Sequence, residues 1–337
     1  MILTRTPFRM SFFGGGTDLE SYFRKNGGAV ISTTFDRYCY VEARRLPRFF
    51  DYANEVVYAQ TERVNRVEDI QHPLVRNAMR MMEAADLRVT YDADLPARSG
   101  LGTSSSFAVG LLNALYALKG QAADKKTLAD GAIYLERVLC REAGGWQDQI
   151  AAAYGGLNRI DFDETGYRVH PLDLSPERKR ELNERLLLFF TGFTRLSSRV
   201  QQRIAAEKTA ERDTILREMR ALVDEAQAIL ENEARDLDGF GRLLHHTWEL
   251  KKRTAASVSN GSIDGMYEKG MQAGALGGKL LGAGSGGFLL FYAPKDRQTQ
   301  IRNALSPLLE IPFSFEEEGA RIMYRSPEEP VPKEEKA

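Results

Sequence analysis

The chain has 337 residues, 43% of them hydrophobic, which is enough for one large or two medium domains with a substantial core. Lysine plus arginine number 46 against 47 acidic residues, a balance that gives no basis for a nucleic-acid or membrane-surface binder. Only Cys39 and Cys140 are present, both in apolar periodic segments, which excludes a disulfide framework and disfavours structural zinc; MILTRTPFRM lacks a long apolar stretch, so a cytoplasmic protein is expected.

The first notable run is TPFRMSFFGGGTDLE. Gly14, Gly15 and Gly16 followed by Thr17 and Asp18 make a tight turn into a short helix from about Leu19 to Lys25. Asp18 is either that helix's N-cap or a carboxylate offered to sugar hydroxyls, with the glycines allowing close substrate approach. Arg9, just upstream, can offset developing charge or lower the pKa of a catalytic Asp. The strands AVISTTF, YCYVEARR, NEVVYAQ and LRVTYDADLP follow.

PARSGLGTSSSF, from Pro96 to Phe107, is the most informative stretch. Gly100 and Gly102 flank Leu101 and let the backbone approach a ligand closely. Thr103, Ser104 and Ser105 then open a helix whose N-terminal N–H groups and dipole favour an anion such as a nucleotide phosphate. Serine hydroxyls add phosphate contacts or an oxygen ligand for Mg²⁺.

Helices are predicted over Ser104 to Leu118, Lys125 to Cys140 and Trp146 to Tyr154. Glu136 lies mid-helix with Ala132, Ile133, Leu139 and Cys140 as its neighbours, so its carboxylate points along a stripe that should be buried. It needs a partner there: either a Mg²⁺ ion or a core arginine such as Arg9 or Arg141. Asp148 sits on the next helix among Gly144, Gly145, Ala151 and Ala152. It suits a general base beside a vacant pocket, or equally an acidic residue favoured by the helix dipole.

The buried strand ERLLLFFTGF, Glu184 to Phe193, opens a second domain. A long amphipathic helix follows, with Ile215, Leu216, Met219, Leu222, Val223, Ala226, Ile229 and Leu230 on one stripe. Two more helices are predicted near Phe240 to Lys252 and Ile263 to Met271. In GALGGKLLGAGSGGFLLFYAP, Gly282, Gly284 and Gly287 satisfy G-x-G-x-x-G, but the run leads into a strand rather than a helix, unlike a dinucleotide turn. A Walker A loop fails because Ala273 stands where Lys279 would need glycine. The run instead suits a loop closing over phosphates or substrate. A helix and a final strand pair, PFSFEE with ARIMYR, precede the charged, proline-rich tail PEEPVPKEEKA, which is expected to be disordered. Two α+β domains result, 1–180 and 181–326, with the tail at 327–337.

Taken together, these runs resemble the GHMP kinase superfamily: TPFRMSFFGGGTD its first motif, SGLGTSSSFAVG its second and KLLGAGSGGFLLF its third, in order. The resemblance implies a ribosomal-protein-S5-domain-2-like N-terminal domain and a ferredoxin-like C-terminal domain. It implies ATP and Mg²⁺ as cofactors and a small-molecule acceptor. Asp148 corresponds to the catalytic aspartate and Arg9 to the arginine facing it. Glu136 corresponds to the Mg²⁺ ligand, with Ser104 or its neighbour Ser105 sharing the ion. Pro96, Ser99, Gly100, Leu101, Gly102, Thr103, Ser104 and Ser105 fall on the nucleotide loop. Gly15, Gly16, Thr17, Asp18, Gly282, Gly284 and Ser285 fall on the substrate side. Gly15 and Gly16 stand where galactokinases have a Glu-His pair, which argues against galactose. FRMSFFGGGTD, GFTR and GKLLGAGSGGF look most like D-glycero-D-manno-heptose 7-phosphate kinases, with fucokinase-type domains the nearest competitors. Arg37, Arg195 and Arg199 are candidates to anchor a sugar phosphate. A kinase for an unphosphorylated sugar, a non-catalytic sugar or ATP sensor, and a dehydrogenase are the rival readings.

Overall fold

The computed structural model describes residues 1–97, 99–192, 210–284 and 286–327. Ser285, Arg195, Arg199, the GFTR run beyond Gly192 and residues 328–337 lie outside the described residues.

The first domain is organised around two long strands, β1 (Ile2–Phe13) and β2 (Gly28–Arg45), paired antiparallel along most of their length. AVISTTF and YCYVEARR, predicted as separate strands, run on as the single strand β2, because Asp36 and Arg37 continue in extended backbone. Helix α1 (Glu20–Asn26) joins the pair. Strands β3 (Asn54–Val57) and β4 (Thr61–Val64), helix α2 (Pro73–Met81) and strand β5 (Leu87–Ala93) extend the sheet on one side. Helices α3 (Thr103–Leu118), α4 (Lys125–Ile133) and α5 (Gln147–Tyr154) pack beside it, followed by β6 (Leu157–Asp163), β7 (Gly166–Pro171) and α6 (Pro176–Glu184). β6 and β5 both pair with β2, one with each end of that long strand.

The second domain has its own four-stranded antiparallel sheet, β8 (Leu186–Phe190), β9 (Gly277–Leu280), β10 (Phe288–Tyr292) and β11 (Leu309–Glu310), in the order β11-β8-β10-β9. Helices α7 (Ala210–Glu231), α8 (Asp238–Thr254), α9 (Gly261–Gln272) and α10 (Gln298–Leu305) complete it. Trp248, Ile263, Tyr267 and Ile301 fill its core against Phe189 and Phe291. Two α+β domains, each with its own sheet, are what the sequence leads one to expect.

One expectation is corrected. PFSFEE and ARIMYR do not pair with each other in the second domain. They form β12 (Phe315–Glu316), which adds to β2, and β13 (Arg321–Arg325), which adds to β1. The edge of β1 would otherwise present unpaired N–H and C=O groups, and the returning chain covers it. The first domain's sheet thus reaches to residue 325.

β1 also places the site. Its first residues alternate between buried and half-buried, but from Thr6 onward both faces are buried. Helices α3 and α5 lie over it from the first domain, and α7 and α8 from the second. Phe12 and Phe13 meet Phe240 of α8 edge to face at 5.4 and 5.1 Å. Arg9 therefore sits inside the molecule, where the two domains meet. Among the described residues, no helix is long and apolar enough to cross a membrane.

Candidate active site

Arg9 is 4% exposed, and a buried guanidinium needs partners. It has three. Nε and Nη2 donate to the two carboxylate oxygens of Asp148, each at 2.8 Å, and Nη1 donates to the carbonyl of Gly100 at 2.7 Å. The fork fixes both the orientation of Asp148 and the path of the glycine loop. The Arg9 N–H also donates to the Leu101 carbonyl at 3.1 Å, which fastens the loop's backbone to β1.

Gly102 is the N-cap of α3 in the left-handed region, φ 73°, and as glycine it has no side chain with which to cap the helix. A Cβ there would lie 3.2 Å from Arg9 Cγ and 3.6 Å from Asp148 Oδ2, so the loop passes directly beside the Arg9–Asp148 pair. An uncapped N-terminus whose first-turn N–H groups have no intrahelical acceptor suits a phosphate. Within the predicted loop, Pro96 is exposed while Ser99 and Leu101 are fully buried, and the loop meets the Arg9–Asp148 pair at Gly102.

Glu136 is 1% exposed and lies on a π-helical turn, Tyr134–Leu139, that continues α4. Such turns concentrate at functional sites. Neither Arg9 nor Arg141 pairs with it. Instead Oε1 accepts from Ser104 Oγ and Oε2 from Ser105 Oγ, both at 2.7 Å, and Oε2 also accepts from Gln149 Nε2. A buried carboxylate with two hydroxyls and no ion pair to Lys or Arg among the described residues is an all-oxygen donor set. It fits a hard cation such as Mg²⁺, which is typically held by one or two carboxylates, with phosphate and water completing the shell. Ser104 and Ser105 both reach Glu136, the first exposed and the second buried.

Asp18 is 3% exposed and does not cap its own helix, whose N-cap is Leu19. Its carboxylate accepts from the Gly16 N–H at 2.9 Å and from the Gln147 N–H at 3.3 Å, so it caps α5, the helix of Asp148. Burial raises its pKa, the charge of Asp148 adds to this, and the backbone N–H bonds oppose it. Gly145 makes room: a Cβ there would fall 1.8 Å from Asp18 Oδ2. Thr17 is a correction. Its hydroxyl donates to the carbonyls of Gly14 and Ala29 at 2.8 and 2.9 Å, and the side chain is fully buried, so it closes the turn and does not face substrate.

A solvent-open cleft with a cavity volume of about 120 Å³ runs between the domains. Arg9, Gly15, Gly16, Asp18, Asp148 and Gly282 all line it, so the structure brings these predicted residues together. Gly284 does not join them: it lies against the Val258 backbone. Arg37 is also away from the cleft. It donates to the carbonyls of Asp36 and Pro312.

Four further cations, Arg137, Arg212, Lys251 and Lys279, line the same cleft and were not singled out in the sequence. Arg137 bonds the carbonyls of Gly145 and Glu142. Lys279 is 2% exposed, and its Nζ donates to the Phe12 carbonyl at 2.7 Å. Burial pushes its pKa far down, and Lys251 and Arg9 push it further. Lys251 carries no comparable signal in the sequence, because its helical neighbours Thr247, Trp248, Thr254 and Ala255 are half polar, unlike the apolar stripe around Glu136.

Residues 73–156 match the family model for the GHMP kinases N terminal domain, and residues 219–308 match that for the GHMP kinases C terminal. Each falls within its own half of the observed fold, and together they take in just over half of the chain. They define a phosphotransferase of the small-molecule kinase type. The chain belongs to the GHMP kinase superfamily, whose members in general use ATP and Mg²⁺.

Among its relatives, the D-glycero-alpha-D-manno-heptose 7-phosphate kinase of Campylobacter jejuni is 29% identical over 336 residues, covering 95% of this chain and 98% of that protein. The L-fucokinase/L-fucose-1-P guanylyltransferase of Bacteroides fragilis is 32% identical over 226 residues, which is 65% of this chain but 23% of that larger protein. Among solved structures, a D-glycero-D-manno-heptose 1-phosphate kinase from Bacteroides thetaiotaomicron superposes with TM-score 0.77 at 24% identity, covering 97% of this chain and all of that one.

Proposed function

We propose that the chain transfers the γ-phosphoryl group of ATP to the anomeric C1 hydroxyl of D-glycero-D-manno-heptose 7-phosphate. The product is the 1,7-bisphosphate, used in nucleotide-activated heptose synthesis for bacterial surface polysaccharide. The observation that carries this reading is the bidentate Arg9–Asp148 pair, fixed beside the Gly100–Gly102 loop on one side and linked through α5 to Asp18 on the other. A heptose phosphate as acceptor is supported by the near full-length similarity to the Campylobacter enzyme and by a cleft wall rich in cations.

In this reading Asp18, Gly15 and Gly16 hold the sugar, and the loop from Gly100 to Ser105 holds the nucleotide phosphates. Asp148 accepts the proton of the C1 hydroxyl as its oxygen bonds to the γ-phosphorus. The bond to the ADP oxygen breaks, and that oxygen leaves with the electron pair. Arg9 keeps Asp148 aimed and offers positive charge to the group in transfer, since positioning and electrostatics carry most of such catalysis. Glu136 with Ser104 or Ser105 would hold Mg²⁺, which when bound neutralises phosphate charge.

Coupled ADP detection with a panel of sugars, each with and without a terminal phosphate, tests the acceptor. Heptose 7-phosphate is expected to give the highest kcat/KM, and fucose or galactose outperforming it would overturn the assignment in favour of an unphosphorylated-sugar kinase. Asp148→Asn should lower kcat by about 10²–10⁴. A variant with near-normal kcat removes Asp148 from the chemistry.

A further inference from the structure

Lys251, on α8 of the second domain, lies deep in the molecule yet keeps some accessible surface because it lines the cleft. Its ammonium donates to the carbonyls of Leu280, at 3.3 Å, and Gly282. No carboxylate pairs with it among the described residues. An ammonium has three N–H bonds, so these two carbonyls leave one donor. Holding such a charge away from bulk water is unfavourable unless an anion arrives.

Its position is defined from several sides. The Gly282 carbonyl that it grips belongs to the turn that touches the nucleotide loop: a Cβ on Gly100 would lie 3.1 Å from Gly282 Cα. The charges facing it are Arg9 of β1, paired with Asp148 of α5, Asp18 of the acceptor turn, and Lys279 of β9. Arg137 and Arg212 complete the cleft's charged lining. The ammonium thus lies between the part of the site suited to nucleotide phosphates and the part suited to the acceptor.

We propose that Lys251 is a further catalytic residue, whose ammonium binds a phosphoryl oxygen in the cleft that Arg9 also lines, where nucleotide and acceptor meet. This rests on the reading of the cleft as a kinase site. The phosphoryl group is either the terminal phosphate of the nucleotide or a phosphate carried by the acceptor. Burial, with Arg9 adding to it and Asp18 opposing, brings the pKa of Lys251 down to about 8. The charge is therefore present at neutral pH and is lost as pH rises.

The test compares wild type, Lys251→Met and Lys251→Arg, with sugar phosphate and dephosphorylated sugar, from pH 6.5 to 9.5. Lys251→Met is expected to lose about 10²-fold or more in kcat/KM, and Lys251→Arg to recover part of it. The wild-type profile should fall on its alkaline side near pH 8, and that fall should vanish in Lys251→Arg, which keeps its charge. If the nucleotide supplies the phosphoryl group, the loss appears with both acceptors. If the acceptor supplies it, the loss is confined to the phosphorylated sugar and shows as weaker binding by calorimetry without nucleotide.

Lys251→Met at near-normal kcat/KM, or an alkaline limb unchanged in Lys251→Arg, overturns the proposal. So does an equal loss in both variants accompanied by lower thermal stability, which marks a tether for the Gly282 turn only. A wild type that forms no ADP with any sugar fails the kinase reading and this proposal with it. An active wild type with indifferent variants fails the proposal alone.

Discussion

Lys251 has a consequence for stability that is separate from catalysis. Its folded pKa of about 8 lies below the ordinary value of 10.5. Between those values the unfolded chain binds a proton that the native state lacks, so native stability rises with pH. Below about pH 8 both states are protonated and this contribution disappears. Relative to Lys251→Met, which has nothing to titrate, wild type should gain up to ~1.4 kcal/mol per pH unit across that window. Paired urea titrations from pH 7 to 10 measure the gap, and parallel curves would show that the lysine is not held in a lowered state. The same residue illustrates the limit of sequence reading. Arg9, Glu136 and Asp148 stand beside distinctive glycine and serine runs or on conspicuously apolar stripes. Lys251 stands in LKKRT, where three adjacent cations look like ordinary partners of a helix C-terminus, and only the fold reveals which one faces inward.

At the scale of elements, the N-terminus of α3 is the critical construction. Its position depends on Gly102, which holds a left-handed conformation beside Arg9. Gly102→Ala would incur roughly 1–2 kcal/mol for the backbone alone. Its new methyl would press on the Arg9 stem and loosen the fork to Asp148. The expected outcome is a fall in kcat of more than about tenfold, with a Tm loss of only a few degrees. A variant that loses stability but keeps kcat would show that the loop and the Arg9–Asp148 pair are mechanically independent. The helix itself was legible because the hydroxyl residues that open it and the apolar run that follows are local. The π turn at Tyr134–Leu139 was not: it inserts one residue's worth of winding without any change in composition, and the sequence predicted unbroken α-helix through Glu136.

For the whole molecule, the return of β12 and β13 to the first sheet matters most. Phe313 packs edge to face on Phe35 at 5.8 Å, and Phe315 lies 6.4 Å from Phe12, so the last strands are built into the first domain's core. A chain ending at Ile311 would keep the cleft residues but expose the edge of β1 and strip those rings from the core. It should lose the sharp thermal transition of the full chain and aggregate, as followed by calorimetry and light scattering. A shortened chain with unchanged Tm would show these strands to be ornamental. Sequence reading found both strands but misplaced them. Pairing between positions some 280 residues apart leaves no local mark, whereas alternation within each strand does.

The contact between Gly100 and Gly282 joins the two domains by main chain alone: a Cβ on Gly282 would come within 2.3 Å of Gly100 Cα. Ordinary interfaces can be retuned by exchanging one side chain for another. This one offers no such intermediate settings, because any residue larger than glycine wedges the two loops apart. A shift of the phosphate loop must be felt directly by the turn gripped by Lys251. The joint behaves as a latch that evolution can keep or break but cannot gradually loosen, while the walls on either side remain free to diverge toward new sugars.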